Sequence, residues 1–198
     1  QLQTYLRTIT SDKRTYEHLM KLAVLFRTTK IDAKQNYQEN YLKFSNAEFV
    51  ILKHMISIHE LPKIIDEVNL VEQTESNTIS PNIAKSIHRY HIKHGKSAIA
   101  IVLLSLTETL SSHGTNLSHN LWEQNLLVLQ IMLNSYFDKY NEIIEPVKLI
   151  DGNDIINEFD TISGITIGKI LRLVTEAQVA GEIFDRNTAI EYARNLYN

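Results

Sequence analysis

The sequence lacks cysteine altogether, which excludes disulfide bridges, cysteine-ligated zinc and thiol catalysis. It also lacks an apolar run of the ~18–20 residues that a membrane-spanning helix needs, because the longest run, residues 98–104, ends at Ser105. Charged side chains such as Arg7 and Arg14 interrupt the N-terminal segment, so no secretory signal peptide is predicted. Together these absences favour a cytoplasmic protein without a membrane partner.

The rest of the composition is that of a globular protein. Of the 198 residues, 43% are hydrophobic and 22% are charged, which argues against wholesale disorder. A chain of this length forms one sizeable domain or two small helical ones. It begins at Gln1 and has no methionine before Met20, so we expect it to be a piece of a longer protein.

Glycine and proline are scarce, with six and three residues, and nearly all of them fall between apolar segments of helical period. No segment shows the two-residue period of a strand, so the sequence predicts an all-α fold, an irregular array of many helices. Ser45 with Glu48 predicts a capping box, and Pro81 and Gly95 predict the first turn and the end of another helix. Only Gly168 lies inside a segment, where we expect it to let another helix approach closely.

The helical segments are predicted from apolar spacing and from flanking cap residues, among them Ser11, Asp151, Ser163 and Asp185. They are 11–26, 45–56, a short one after Pro62, 81–95, 97–110, 122–140, 151–159, 163–179 and 185–196. The 97–110 segment is expected to be a central buried helix, and a stripe of apolar residues marks one face of 122–140. Residues 28–42 and 72–80 are predicted loops. A seam at 142–148 separates an expected helical body, 1–145, from a small helical tail, 146–198.

No acidic residue occurs between Glu75 and Glu108, although the whole chain has a net charge of -3. Lys85, Arg89 and Lys93 are spaced four residues apart along one side of the predicted helix, and Lys96 follows its end. Such a row is typical of a stripe that contacts nucleic-acid phosphates without reading sequence. The alternative is an ordinary solvated helix face whose acidic partners come from elsewhere in the chain.

Three histidines, His88, His91 and His94, share this segment at three-residue spacing. No carboxylate accompanies them, and the neighbouring cations would repel a divalent ion. We therefore expect imidazoles that face RNA or solvent rather than a metal site. His54 and His59 are five residues apart, which is a poor chelate, so structural or surface roles are expected for them.

Residues 164–170 superficially resemble a phosphate-binding loop, but the spacing is one residue short and no Ser or Thr follows Lys169. The helix start at Ser163 can still hold a phosphate on its free N–H groups, supported by Lys169 and Arg172. The sequence has no Asp-x-Asp pair, which excludes the two-metal site of a nucleotidyl transferase, and no serine elbow is predicted. We expect the chain by itself to be non-catalytic, without a metal or cofactor.

Four blocks in the C-terminal part follow one another in a characteristic order. They are Pro146-Val-Lys-Leu-Ile-Asp-Gly-Asn-Asp-Ile-Ile156, Gly164-Ile-Thr-Ile-Gly-Lys-Ile-Leu171, Glu176-Ala-Gln-Val-Ala-Gly-Glu-Ile183 and Arg186-x-x-Ala189. This ending resembles that of bacterial tRNA nucleotidyltransferases and poly(A) polymerases. Upstream, Leu42-Lys-Phe-Ser-Asn-Ala-Glu48 resembles the family's Leu-Ser-Asn-x-Glu helix start, and Lys21-Leu-Ala-Val-Leu-Phe26 resembles its Leu-Ala-Ala-Leu-Leu-His-Asp segment.

The resemblance implies a head-neck-body-tail protein that transfers CMP or AMP to RNA 3′ ends. Its catalytic head, with the metal carboxylates, Mg²⁺ and CTP or ATP, has no counterpart in this chain. The residues present would be the body and tail, which hold a tRNA or another structured RNA through its backbone, with the chain's own head as a second partner. The expected RNA-binding residues are Lys85, Arg89, Lys93, Lys96, Lys148, Lys169 and Arg172.

Two departures from the family pattern leave alternatives open. Arg27-Thr28 stands where many relatives have His-Asp, so no metal site of that type is expected, and Ile165 replaces a proline. The main alternative is a degenerate His-Asp-type helical domain that acts as a protein-interaction or regulatory module. The least favoured is an active metal phosphohydrolase that uses the scattered histidines.

Overall fold

A computed structural model describes residues 1–10, 13–29, 43–57, 79–159 and 162–197. Helices account for most of these residues, and no β-strand occurs among them, although an isolated bridge joins Ile9 and Thr15. The all-α prediction is therefore confirmed. The Ser11 cap, the segment after Pro62, His59 and most of the two predicted loops lie outside the described residues.

The described helices are numbered here in chain order. They are α1 (Leu2–Leu6), α2 (Tyr16–Thr29), α3 (Asn46–Ser57), α4 (Pro81–His94), α5 (Ala98–His113), α6 (His119–Phe137), α7 (Gly152–Glu158), α8 (Gly164–Val179) and α9 (Arg186–Tyr197). Short 3₁₀ turns, Gly95–Ser97 and Gly114–Asn116, flank α5, and a π-helical turn, Tyr140–Ile144, follows α6. As the sequence predicts, α4 begins at Pro81 and stops before Gly95, whose φ of 54° is a left-handed conformation that suits glycine.

The chain divides into two compact units. Unit 1 comprises Gln1–Asp66 and Lys93–Leu133, and unit 2 comprises Glu67–Ile92 and Asn134–Asn198. The predicted division into a body over 1–145 and a tail over 146–198 runs along the chain instead. The difference arises because most of α4 shares a compact unit with the C-terminal helices, a long-range association that no local sequence signal reveals.

In unit 1, α5 supplies the most deeply buried residues, as predicted for a central helix. Residues 98–102 are all fully buried, and α2 and α3 pack against this helix and against each other. Tyr5 fastens α1 to the beginning of α5: its hydroxyl donates to the Lys96 carbonyl at 2.6 Å and accepts from the Ala100 amide at 3.3 Å. The Tyr5 ring also stacks on Tyr16, with 4.6 Å between ring centroids.

The predicted capping box at the start of α3 is present. The Glu48 amide donates to Ser45 Oγ at 3.2 Å, and the Ser45 amide donates to Glu48 Oε2 at 3.0 Å. Glu48 is fully buried and also forms an ion pair with Arg14 at 2.9 Å. Burial raises the pKa of Glu48, but the amides of Ser45 and Arg14 and the Arg14 guanidinium outweigh it and hold this pKa below its usual value.

The longest helix differs from the prediction in which face it buries. The predicted stripe of α6 runs through Trp122, Leu126 and Leu129, yet Leu126 is 40% exposed. The buried positions are Asn125, Val128, Ile131, Met132 and Ser135. Because α6 is apolar on several sides, hydrophobicity alone does not fix its orientation, and the buried stripe includes two polar residues that the pattern assigns to solvent. The helix also ends at Phe137, before Tyr140.

The C-terminal helices of unit 2 enclose a core of their own. Its fully buried members include Ile155 of α7, Val174 and Ala177 of α8, and Ala189 and Ala193 of α9. The three predicted N-caps are confirmed, because Asp151, Ser163 and Asp185 each accept a hydrogen bond from the amide three residues further on.

The predicted role of Gly168 is wrong. A Cβ atom built on this exposed residue meets no atom of the described structure within 4 Å, so no helix packs closely there. The glycine with a conformational reason is Gly181, whose φ of 72° ends the α8 region in a left-handed turn. A glycine inside a helical pattern indicates either close packing or an open surface, and the sequence does not separate these cases.

The cap of α7 gives a stability prediction. Asp151 Oδ1 accepts from the Asn153 and Asp154 amides at 2.8 and 3.0 Å, and Asp154 Oδ2 accepts from the Asp151 amide at 2.8 Å. Replacing Asp151 by Ala removes one half of this box and should lower the free energy of unfolding by about 1 kcal/mol. Urea denaturation measures the loss; Asp151→Asn, which retains the cap acceptor, should lose only a fraction of it, and equal losses in both variants would contradict this role.

Candidate nucleic-acid interface

The seven predicted RNA-binding residues fall into two classes. Lys85 and Arg89 of α4 are engaged in ion pairs within unit 2: Lys85 Nζ lies 2.5 Å from Glu182 Oε1, and Arg89 lies 2.5 Å from Glu176 Oε2. The acid-free α4 segment therefore obtains its counter-charges from α8 and from the turn that follows α8. Acidic partners from elsewhere in the chain are what the solvated-face alternative expects. Lys85 and Arg89 therefore stabilise the packing of α4 within unit 2 in addition to carrying positive charge.

The ion pair of Arg89 involves a deeply buried carboxylate. The Glu176 side chain is 4% exposed, whereas the Arg89 side chain is 58% exposed. The hydrogen bond from Arg89 holds the pKa of Glu176 below its usual value against the opposing effect of burial, and the charges of Arg89 and Arg172 act in the same direction. Glu176 is thus ionised at neutral pH and needs its cation.

The other five predicted residues are exposed and form no salt bridge with carboxylates of the described residues. Lys93 and Lys96 belong to unit 1, whereas Lys148, Lys169 and Arg172 belong to unit 2. Lys169 and Arg172 are three residues apart in α8 and so lie on neighbouring positions of one helix side. Lys148 stands in the segment that leads into α7.

An apolar cavity of about 390 Å³ opens in unit 2 beside two of these cations. Its wall combines the C-terminal part of α4, the segment from Ile144 to Gly152, and residues 171–178 in the C-terminal half of α8. Lys148 and Arg172 contribute to the wall together with apolar residues such as Ile92, Leu149 and Leu171. Two cations thus flank a mostly hydrophobic recess.

The three histidines of α4 are buried, so the prediction that they face RNA or solvent is wrong. His88, His91 and His94 are 3%, 4% and 5% exposed. They continue the buried side of the helix that Ala84 and Ile87 begin, because steps of three and four residues stay on one helix face. His91 stacks on Tyr136 with 5.5 Å between ring centroids.

His88 combines burial with an unfilled hydrogen-bonding position. Its Nδ1 lies 2.8 Å from the Ile143 carbonyl oxygen, which can only accept, so Nδ1 carries the proton. Its Nε2 has no hydrogen-bond partner among the residues that the structure describes. When the ring is neutral and Nδ1 carries the proton, Nε2 is an acceptor. The His88 side chain also lines the apolar cavity.

His94 and His54 contact each other in unit 1, with ring centroids 6.2 Å apart. Burial, followed by the charges of Lys93 and His54, lowers the pKa of His94 to about 4. In the described part of the chain, no three His, Asp or Glu side chains are grouped as ligands for a metal ion. At the position that resembles the family's His-Asp pair, Arg27 forms an ion pair with Glu108.

The four C-terminal blocks of the resemblance are in contact with one another. Arg186 of the last block pairs with Asp154 of the first at 2.8 Å, and Gln178 Nε2 of the third donates to the Val147 carbonyl of the first at 2.8 Å. The second block begins α8, and a Cβ on Gly152 would lie 3.8 Å from Ile167 of that block. Residues that resemble the family pattern therefore serve the packing of one unit.

Sequence reasoning did not identify Glu176 and Glu182, the two acidic partners of α4, and it placed His88 wrongly, on a side that faces RNA or solvent. Glu176 had a detectable signal, because it occupies a core position of α8 between Val174 and Ala177, where an acid implies a buried cationic partner. Glu182 and His88 offered no comparable signal, since their partners are distant in the sequence.

Comparison of the chain with family models, with curated proteins and with solved structures finds no significant match in any of the three. Among the described helices, none combines the length and apolar character needed to cross a membrane.

The ion pair of Glu176 predicts an asymmetric response to mutation. Arg89→Ala leaves a buried carboxylate without its main cation and should lower the free energy of unfolding by about 1–2 kcal/mol. Adding Glu176→Gln to that variant removes the charge and should restore part of the loss. Lys85→Ala is the matched control, because Glu182 is exposed and its pair should contribute less than about 0.5 kcal/mol. Equal losses for Arg89→Ala and Lys85→Ala in denaturation would contradict a buried-charge role.

The low pKa of His94 predicts a pH dependence of stability. The unfolded chain takes up a proton near the ordinary histidine pKa of about 6.5, whereas folded His94 does so only near 4. The stabilisation is thus complete above pH ~6.5 and is lost as pH falls towards 4, by about 1 kcal/mol between pH ~7.5 and ~5.5. Denaturation at these two pH values measures it, with His94→Gln as the comparison. The variant should show a smaller difference, and an unchanged difference would assign the effect to another group.

Proposed function

We propose that this chain is an RNA-binding portion of a tRNA nucleotidyltransferase or poly(A) polymerase, and that it holds structured RNA by its phosphate backbone. The observation that carries the proposal is the group formed by Lys148, Lys169 and Arg172 in unit 2. These three cations are exposed and form no salt bridge with the described carboxylates, so their charge is available to phosphates.

Two features of unit 2 support this function. Lys169 and Arg172 are the sixth and ninth residues of α8, so they lie on one helix side within about two and a half turns of the N-terminus, whose free N–H groups can hold a phosphate. Lys85 and Arg89 are paired with carboxylates, so we assign them to positioning α4 against the C-terminal helices rather than to direct phosphate contact. Lys93 and Lys96 of unit 1 stay in the proposed set as exposed cations.

The proposed division of labour follows from what the sequence contains. Nucleotide transfer needs paired carboxylates for its metal ions, and the sequence has no Asp-x-Asp pair. We therefore assign chemistry, Mg²⁺ and CTP or ATP to a separate head and assign RNA positioning to this chain. No catalytic residue is proposed here.

A second function, that of a protein-interaction module, is favoured by one observation in unit 2. Val147, Ile165 and Phe184 are large apolar residues that are 75–88% exposed. A protein partner that covered these side chains would remove their apolar surface from water. Under this interpretation Arg27, which stands where the family has a metal-ligating His, forms an ion pair with Glu108 instead, and RNA affinity would be absent.

The test is tRNA binding as a function of salt concentration, compared with an unstructured RNA of equal length. The triple variant K148E/K169E/R172E should weaken tRNA binding about ten- to a hundredfold near 0.1 M salt and reduce the log-log salt slope by about 2–3. The altered side chains are exposed, so the fold should persist, and circular dichroism checks this.

The matched control is R7E/K13E/K43E, which makes the same change in net charge at exposed residues of unit 1. It should change tRNA affinity and salt slope much less than the unit 2 variant. Equal effects of both variants would reduce the interaction to general attraction between charges, and an unchanged affinity of K148E/K169E/R172E would contradict the proposal. Absence of tRNA binding at low salt would favour the protein-interaction module.

A further inference from the structure

We propose that the apolar cavity of unit 2 binds a single unstacked nucleotide, with its base in the recess and its phosphate on Lys148 and Arg172. This inference rests on the proposed RNA-binding function and extends it from backbone contact to recognition of one base. It draws on three observations: the shape of the cavity, its flanking charges and the orphan nitrogen of His88.

The cavity has the dimensions and lining that a nucleobase requires. Its volume of about 390 Å³ falls within the usual range of small-molecule pockets. Its walls are predominantly aliphatic, with Ile92 and Ile144 on one part and Leu171 and Val174 on another. Flat, weakly hydrated base faces suit such walls, and splayed-out bases are what sequence-reading RNA proteins commonly capture.

The charges beside the cavity suit the phosphate of the same nucleotide. Lys148 and Arg172 both line it, and neither forms a salt bridge with carboxylates in the described ranges. Glu145 and Asp151 also line it, but Asp151 caps α7 and Glu145 accepts a hydrogen bond from the Tyr140 hydroxyl at 3.2 Å. Glu145 and Asp151 keep their negative charges, so the proposed phosphate contact is with Lys148 and Arg172, which form no direct ion pair, and not with the part of the lining that carries these carboxylates.

His88 supplies the polar group that selects a base. Because Nδ1 donates to Ile143, Nε2 of the neutral ring accepts, and it lacks a partner among the described residues while the side chain is 3% exposed. Buried polar atoms normally have a partner, and the His88 side chain is part of the cavity wall, so we infer that a bound ligand donates to this nitrogen. The exocyclic amino group of adenine or cytosine is such a donor.

The experiment is a nuclear magnetic resonance titration of the full chain, ¹⁵N-labelled, with AMP and CMP. Ribose 5-phosphate and inorganic phosphate serve as probes of the anion contribution alone. Both nucleotides should shift the Val174 and Thr175 amides and the His88 ring nitrogens, whereas the two probes without a base should leave the His88 nitrogens unchanged. Purine riboside 5′-monophosphate, which lacks the amino group, should bind about tenfold more weakly than AMP.

Three variants test the parts of the site separately. Lys148→Ala and Arg172→Ala should each weaken AMP binding about tenfold, and Lys13→Ala, at an exposed lysine of unit 1 outside the proposed RNA-binding set, should leave it unchanged. Thr175→Trp fills the cavity and should abolish the His88 shift. His88→Asn retains a donor near Ile143 but removes the Nε2 acceptor, so it should erase the preference for AMP over purine riboside monophosphate.

The outcomes separate this inference from the function on which it rests. Identical shifts with AMP and ribose 5-phosphate, or unchanged AMP binding in a folded Thr175→Trp variant, would overturn the nucleotide site. If tRNA binding and its salt slope then persist, the proposed backbone function stands. If AMP binds in the cavity but tRNA does not bind at any salt concentration, the nucleotide site is supported and the RNA-binding proposal fails.

Discussion

A buried carboxylate sets the arrangement of unit 2. Glu176 lies among core residues of α8, where an ionised group is tolerated only beside a cation, and Arg89 of α4 supplies it. Once this pair fixes α4 against α8, the preceding residue, His88, reaches the Ile143 carbonyl, and Lys85, one turn earlier, reaches Glu182. The requirement for a cation beside Glu176 thus positions the α4 wall of the apolar cavity. If the Arg89 guanidinium bound an external phosphate instead, the buried carboxylate would lose its counter-charge, which would destabilise unit 2.

This requirement divides the cations of unit 2 by role. Lys85 and Arg89 neutralise carboxylates, whereas Lys148, Lys169 and Arg172 form no ion pair in the described part of the chain. A protein with a net charge of -3 attracts a polyanion through local concentrations of positive charge, and the proposed function assigns that role to the second group. The spacing of cations along one helix therefore does not decide whether they are available to an external ligand. That depends on whether a carboxylate of a neighbouring segment already pairs with them.

Features of the fold could be predicted from the sequence where the interacting residues are close together in the chain, and could not where they are far apart. Helix caps could be predicted, because Ser45 with Glu48 and Asp151 with Asp154 satisfy backbone groups within three residues. The continuously apolar α5 was equally clear. The burial of His88, His91 and His94 was not, since a three-residue spacing suits either a buried or a solvated face. For the same reason the sequence does not predict the ion pairs of Lys85 and Arg89, because their partners Glu182 and Glu176 lie about 90 residues away in the chain.

Backbone contacts alone leave an RNA-binding surface with little selectivity. Phosphates are common to every nucleic acid, so a cluster of cations discriminates folded RNA from other polyanions only through the geometry in which it presents charge. In unit 2 that geometry is tied to a recess, because Lys148 and Arg172 are part of the wall that also contains His88. The two proposed kinds of recognition, by charge at the mouth and by hydrogen bonding inside, would then depend on one framework. Any change that loosens α4 from α8 is expected to impair both together, a shared dependence that the proposal predicts and that a chance grouping of surface lysines does not.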